Sequence, residues 1–162
     1  MNNGIVAAVV LASWAIGPGA LGAARPAKTA IVTTARTMLD AYAAGDRAAV
    51  QASLDREIHV YGSDRQEVAS TPAGFMALYD TDQRLWRGGA SFGPMQNVSL
   101  VSDGRLAGLF FDREFTVGGR GTLVRFATVW RREKAGWKLV QSANVAPTAG
   151  QSGAELLGAT RK

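Results

Sequence analysis

The sequence predicts an α+β domain, with helices first and a run of antiparallel strands afterwards. Three observations carry this. Val124–Trp130 and Gly136–Asn144 alternate in character, mix β-branched with aromatic residues, and flank the charged turn Arg132–Gly136, as the strands of a hairpin do. Asp103-Gly104, set between Asn97–Val101 and Leu106–Val117, is a type I′ hairpin signal. Ahead of both, Val32, Ala35, Leu39, Tyr42 and Ala43 recur at helical spacing.

Each element follows in order. Thr29 to Ala44 reads as a helix, ended by Gly45 as a C′ residue. Asp46 is an N-cap for a second helix from Arg47 to Leu54, with Val50 and Leu54 on one side. Glu57 to Tyr61 is a short strand. Ile58 and Val60 face one way there, His59 and Tyr61 the other. Residues 62–66 form a loop. Thr71 caps a third helix with Pro72 at its first position, and Phe75, Leu78, Tyr79, Leu85 and Trp86 form its apolar face. Gly88-Gly89 ends the helical half. In the first hairpin Val98 and Leu100 share a face with Leu109, Phe111 and Phe115, and Arg113 lies in phase with them. A glycine-rich link, 118–121, leads to the strand Val124–Arg132, and Trp137–Val145 closes the sheet. Trp130 and Trp137 bracket the last turn, where two large rings can pack across a hairpin.

Composition sets limits. The 162 residues are 47% hydrophobic, which fits one compact domain with a core of its own. With no cysteine there is no disulfide scaffold, thiol nucleophile or cysteine zinc site. His59 is the single histidine, so a multi-histidine metal site is impossible within one chain, and neither a metal nor a cofactor is expected. Residues 1–24 stand apart. Gly4 to Ala24 holds no charged side chain, Ile5–Ile16 is apolar, Gly17-Pro18-Gly19 breaks the run, and small residues follow. That order predicts a signal peptide cleaved near Ala23 or Ala24, a periplasmic or secreted product, and no membrane attachment afterwards. The net charge is +5 with a pI near 10.1, but the densest basic cluster, Arg131-Arg132-Glu133-Lys134, lies at a hairpin tip. No basic face interleaved with aromatic residues is present, so nucleic acid is not an expected partner. The domain is expected over residues 29–147, with a flexible tail from 148 to 162.

The tryptophan hairpin and the run Leu39-Asp-Ala-Tyr-Ala-Ala-Gly-Asp46 resemble the SnoaL-like and ketosteroid-isomerase-like branches of the nuclear-transport-factor-2-like superfamily. The resemblance covers about residues 30 to 146. It implies a conical fold in which a highly curved antiparallel sheet wraps over N-terminal helices and leaves a cavity. It also implies a homodimer through the outer sheet face, where Arg125 and Val129 are expected. Ketosteroid isomerases place a carboxylate base at the end of the first strand and a tyrosine donor in the first helix. In register with Gly45-Asp46 those positions are Gly62 and Met38 here, and neither residue can abstract a proton or donate to an oxyanion. Many relatives carry His-x-His in the last strand, where this chain has Gln141 and Ala143.

The leading expectation is therefore a pocket protein that binds a small, partly apolar molecule, with His59, Tyr61, Trp86, Phe111, Arg113 and Gln141 as candidate ligand contacts. Arg113 either meets a carboxylate ligand or covers the sheet edge with its stem. The alternatives are an enzyme of the cyclase, dehydratase or isomerase kind, using His59 with Tyr61 or Asp64, and an oligomerisation module. Asp82 is a further candidate base, read here as a solvent-facing helix residue.

Overall fold

A computed structural model describes the backbone of residues 20–147 and the side chains of residues 29–147. The expected signal segment lies outside the described residues except for 20–24, and the expected tail 148–162 lies outside them entirely.

The first helix, α1, spans Ala20–Ala44 and so begins before Thr29. Its buried positions Ile31, Ala35 and Met38 fall on one stripe. Gly45 adopts φ +80°, a left-handed conformation that costs glycine nothing. The Asp46 carboxylate then accepts from the Ala49 N–H at 3.0 Å and starts α2, Arg47–Ser53. Leu54 is not part of that helix. It turns extended and opens β1, Leu54–Tyr61, three residues ahead of the expected start at Glu57. A two-residue strand β2, Val68–Ala69, pairs with the end of β1. Helix α3, Pro72–Trp86, starts on Thr71, whose hydroxyl accepts from Gly74 N–H at 3.1 Å. It buries Phe75, Met76 and Tyr79, while Leu85, expected on the apolar face, is 71% exposed.

Five further strands complete the sheet: β3 (Ala90–Phe92), β4 (Gln96–Ser102), β5 (Leu106–Val117), β6 (Arg120–Glu133) and β7 (Gly136–Val145). The order is β2-β1-β7-β6-β5-β3, with β4 sharing the β5 edge with β3. Only β1 and β7 run parallel. The sheet stays open and curves, because β5 turns between two edge partners and bulges interrupt three ladders. Alternation sorts the faces. Ala107, Leu109 and Phe111 of β5, Val124, Phe126 and Trp130 of β6, and Leu139 of β7 are buried and pack with the stripes of α1 and α3. Phe110 and Arg125 point outward and are exposed.

Three local expectations are corrected. At the β4–β5 turn only Gly104 takes a positive φ, whereas a type I′ turn requires two such residues. The Asp103 carboxylate instead accepts from the N–H groups of Arg105 and Leu106 and pins the turn. Asn97, at φ 51°, sits in a bulge that breaks the phase of β4, so Val98 is exposed while Leu100 stays opposite Leu109. Trp130 and Trp137 are both buried, but a bulge places Trp130 opposite Leu139, and the group over the Trp137 ring is the Arg132 guanidinium, 5.8 Å from its centroid.

Candidate functional site

The inner face of the sheet, α1 and α3 enclose a cavity of about 380 Å³. Its wall is a continuous chain of ring contacts. Tyr42 of α1 meets Phe75 and Trp86 of α3 at centroid distances of 5.8 and 5.6 Å. Trp86 meets Phe115 at 4.8 Å, Phe115 meets Phe92 at 5.0 Å, and Phe92 meets Phe126 at 5.9 Å. Phe126 stacks on Phe111 at 5.0 Å, which ties the two longest strands together on the same wall. Such pairs add about 0.5–1.5 kcal/mol each beyond their buried area.

One side of this cavity is polar. The Tyr42 hydroxyl donates to Asp82 Oδ2 at 2.7 Å, joining α1 to α3. Gln83 reinforces the joint by donating to the Tyr42 carbonyl, also at 2.7 Å. Burial pushes the Asp82 carboxyl above the ordinary carboxylate range; the Tyr42 hydrogen bond opposes that shift and the Glu67 charge adds to it. Tyr42 is pushed up as well, first by burial and then by the Asp82 charge, so it remains a neutral donor. Glu67, on the loop before β2, lines the same cavity and acts electrostatically on both. Its Oε2 accepts from Asp64 N–H at 3.0 Å, and its carbonyl accepts from Gly62 N–H at 2.7 Å.

This packing dictates glycine at position 62. A Cβ there would lie 2.1 Å from Glu67 Oε2 and 2.4 Å from Glu67 Cβ. The Glu67 side chain thus fills the space that a side chain on residue 62 would need. Gly62 and Met38 both line the cavity. Thr128 lines it too, but its hydroxyl is committed, donating to the Leu109 carbonyl at 2.9 Å and accepting from Trp130 Nε1 at 2.8 Å.

The expected site residues separate. Trp86 and Phe111 line the cavity. His59 and Tyr61 do not. Ile58 and Val60 hold the inward phase of β1, so His59 and Tyr61 face outward, with Tyr61 64% exposed. Gln141 pairs with His59 across β1 and β7 and is exposed on the same outer face. Asp64 is exposed in its loop, where its carboxylate accepts from Gln66 N–H. Arg113 is buried at 3% exposure but away from this cavity, in a second crevice between α1 and β3. It donates to Asp40 at 2.7 Å and to the carbonyls of Gly93 and Phe92 at 2.6 and 3.1 Å. Its Nε and Nη2 therefore clamp β3 onto α1, while Nη1 is buried without a hydrogen-bond partner among the described residues. Tyr42, Asp82 and Glu67, which reach the cavity together with Ser63, Thr122, Thr128, Ser142 and Asn144, were absent from the expected ligand contacts. The readable signal was Asp82 itself: it continues the stripe Phe75, Leu78, Tyr79, Trp86 at helical spacing, so its carboxylate had to face inward.

No family model matches the chain, and no curated protein matches it. Solved structures do. A nuclear-transport-factor-2-like protein of unknown function from Pseudomonas putida KT2440 superposes with a TM-score of 0.69 at 15% identity, covering 78% of this chain and 91% of that one. A candidate dehydratase of the same family from Streptomyces avermitilis gives 0.69 at 16% identity, covering 77% and 99%. A protein of this type with a cystatin-like fold, from Novosphingobium aromaticivorans, gives 0.62 at 20% identity, covering 89% and 98%. A helical layer against an open, curved, mostly antiparallel sheet, shared over nearly the full length of these proteins, gives the chain the same α+β cone fold as these nuclear-transport-factor-2-like proteins.

Proposed function

We propose that the chain is a pocket protein that binds one small, partly apolar molecule in the cavity between α1, α3 and the sheet. The observation that carries this is the aromatic wall closing on a few polar groups. A cavity of about 380 Å³ falls within the roughly 300–1,000 Å³ usual for small-molecule sites. Apolar burial supplies the affinity there, at roughly 25 cal/mol per Å² before the costs of association. The test is thermal unfolding with tryptophol, a neutral indole alcohol. It should raise the melting temperature, and Trp86→Ala or Phe115→Ala should shrink the rise. An unchanged melting temperature at millimolar tryptophol, in wild type and variants alike, would sink the reading.

A second reading, an enzyme of the dehydratase or isomerase kind, draws support from Asp82. A carboxyl with raised proton affinity inside a cavity is a common general acid or base. In that reading Asp82 or Glu67 would do the work first assigned to His59 and Asp64. The neighbouring folds include candidate ketosteroid isomerases as well as the candidate dehydratase. We also propose a homodimer through the outer sheet face, and export after signal removal; both are argued in the Discussion. Among the described residues no helix is long and apolar enough to cross a membrane.

A further inference from the structure

We infer that the cavity selects an apolar amine, bound as its ammonium with the cation between Asp82, Glu67 and the Trp86 ring. The inference rests on the pocket reading above and names the ligand class. The charged side chains that line the cavity among the described residues are Asp82 and Glu67, both acidic. Arg113, the cation expected there, lies outside it, its Nε and Nη2 donating to Asp40 and two backbone carbonyls. Of the hydrogen bonds among the described residues, Asp82 accepts one, from Tyr42, and Glu67 side-chain oxygen accepts one, from Asp64 N–H. Acceptor capacity is thus left on both carboxylates, and Tyr42 has already spent its single proton. A ligand that brings N–H donors and positive charge satisfies this corner; a ligand carboxylate meets two negative groups in a medium that screens poorly.

The wall points the same way. Tyr42 and Trp86 are in ring contact at 5.6 Å, and Trp86 lines the cavity with Asp82 and Glu67, so an indole ring lies near the acidic corner. Aromatic faces attract cations, tryptophan most strongly. The remaining rings receive the apolar body of the ligand. A bound cation also compensates Asp82 for its partial loss of water, so that the carboxylate stays ionised in the complex.

A matched indole series tests this: tryptamine, tryptophol and indole-3-propionate, titrated by calorimetry at pH 7.5 and low salt. Tryptamine should bind about tenfold tighter than tryptophol, and indole-3-propionate more weakly than tryptophol. Asp82→Asn should erase the advantage of tryptamine while leaving tryptophol binding in place, and Glu67→Gln should reduce that advantage. His59→Ala, on the outer face, should change none of the three. Equal affinities across the series, or tightest binding by indole-3-propionate, would overturn the amine inference and leave the pocket reading standing. A tryptamine preference that survives both Asp82→Asn and Glu67→Gln would overturn it too. Absence of binding by all three would overturn the pocket reading and this inference with it.

Discussion

Asp82 is half-buried beside a ring wall, and its charge is disfavoured there because less water reaches it. Its folded proton affinity therefore exceeds its unfolded one. Such a group contributes its full share of stability below the unfolded pKa and loses that share as pH rises through the folded pKa. The native state thus holds this carboxyl more easily protonated than the unfolded chain does. Asn has the shape of the protonated acid, so Asp82→Asn should match or exceed the wild-type melting temperature at pH 7. The gap should close as pH falls below about 4, the ordinary carboxylate range. Melting curves of both proteins between neutral and acidic pH check this; a variant less stable than wild type at pH 7 would contradict it. Read in one dimension, Asp82 looked solvated because charge outweighed position. His59 and Tyr61 looked functional because they are polar and adjacent in phase, but β1 has one buried phase and Ile58 and Val60 hold it.

Elements with a strong period or a capping residue were legible. Thr71-Pro72 and Gly45-Asp46 form the joints their chemistry predicts, and the long strands β5 and β6 pair in unbroken register and alternate through their middles. Strands β2 and β3 were not legible. Two or three residues contain no period, and both strands exist through edge pairing and, for β3, through the Arg113 clamp. The start of α1 bears on export. Cleavage near Ala23 or Ala24 would remove the first residues of α1 and leave Ile31, Ala35 and Met38 with their packing. Export and the fold are therefore compatible. The apolar run Ile5–Ile16 followed by small residues motivates the expectation that intact-mass analysis from a native host gives a chain shorter by about 23 or 24 residues. Soluble cytoplasmic protein retaining Met1 would reject it.

At the scale of the molecule, no helix among the described residues lies over the outer sheet face. Phe110, Ala127, Ala143 and Tyr61 are register neighbours on β5, β6, β7 and β1. Two small residues thus lie between two exposed rings, Phe110 at 54% and Tyr61 at 64% exposure. Val101 and Val145 are exposed as well, at 74% and 58%. Arg125 is on this face, 3.7 Å from Asp112, and Val129 is half-buried two outward positions further along β6. An apolar face of this kind tends to be covered. A second copy is the expected cover, so light scattering at micromolar concentration should give twice the monomer mass, and Phe110→Glu should return it to the monomer. A monomer at all concentrations in the unaltered protein would reject this.

The fit of Gly62 against Glu67 has a consequence for how this sequence can drift. Positions 62 and 67 share one volume, and it holds one carboxylate. An acid rooted at the end of β1 and an acid folded back from residue 67 are alternative tenants of that volume. Neither single exchange leads from one to the other. Gly62→Asp with Glu67 in place crowds Cβ against Cβ and sets two like charges together. Shortening Glu67 first removes that carboxylate and leaves Asp82 alone in the corner. The two positions should therefore change in concert along any lineage that keeps a carboxylate here, and an engineer who wants the acid on the strand has to rebuild both at once.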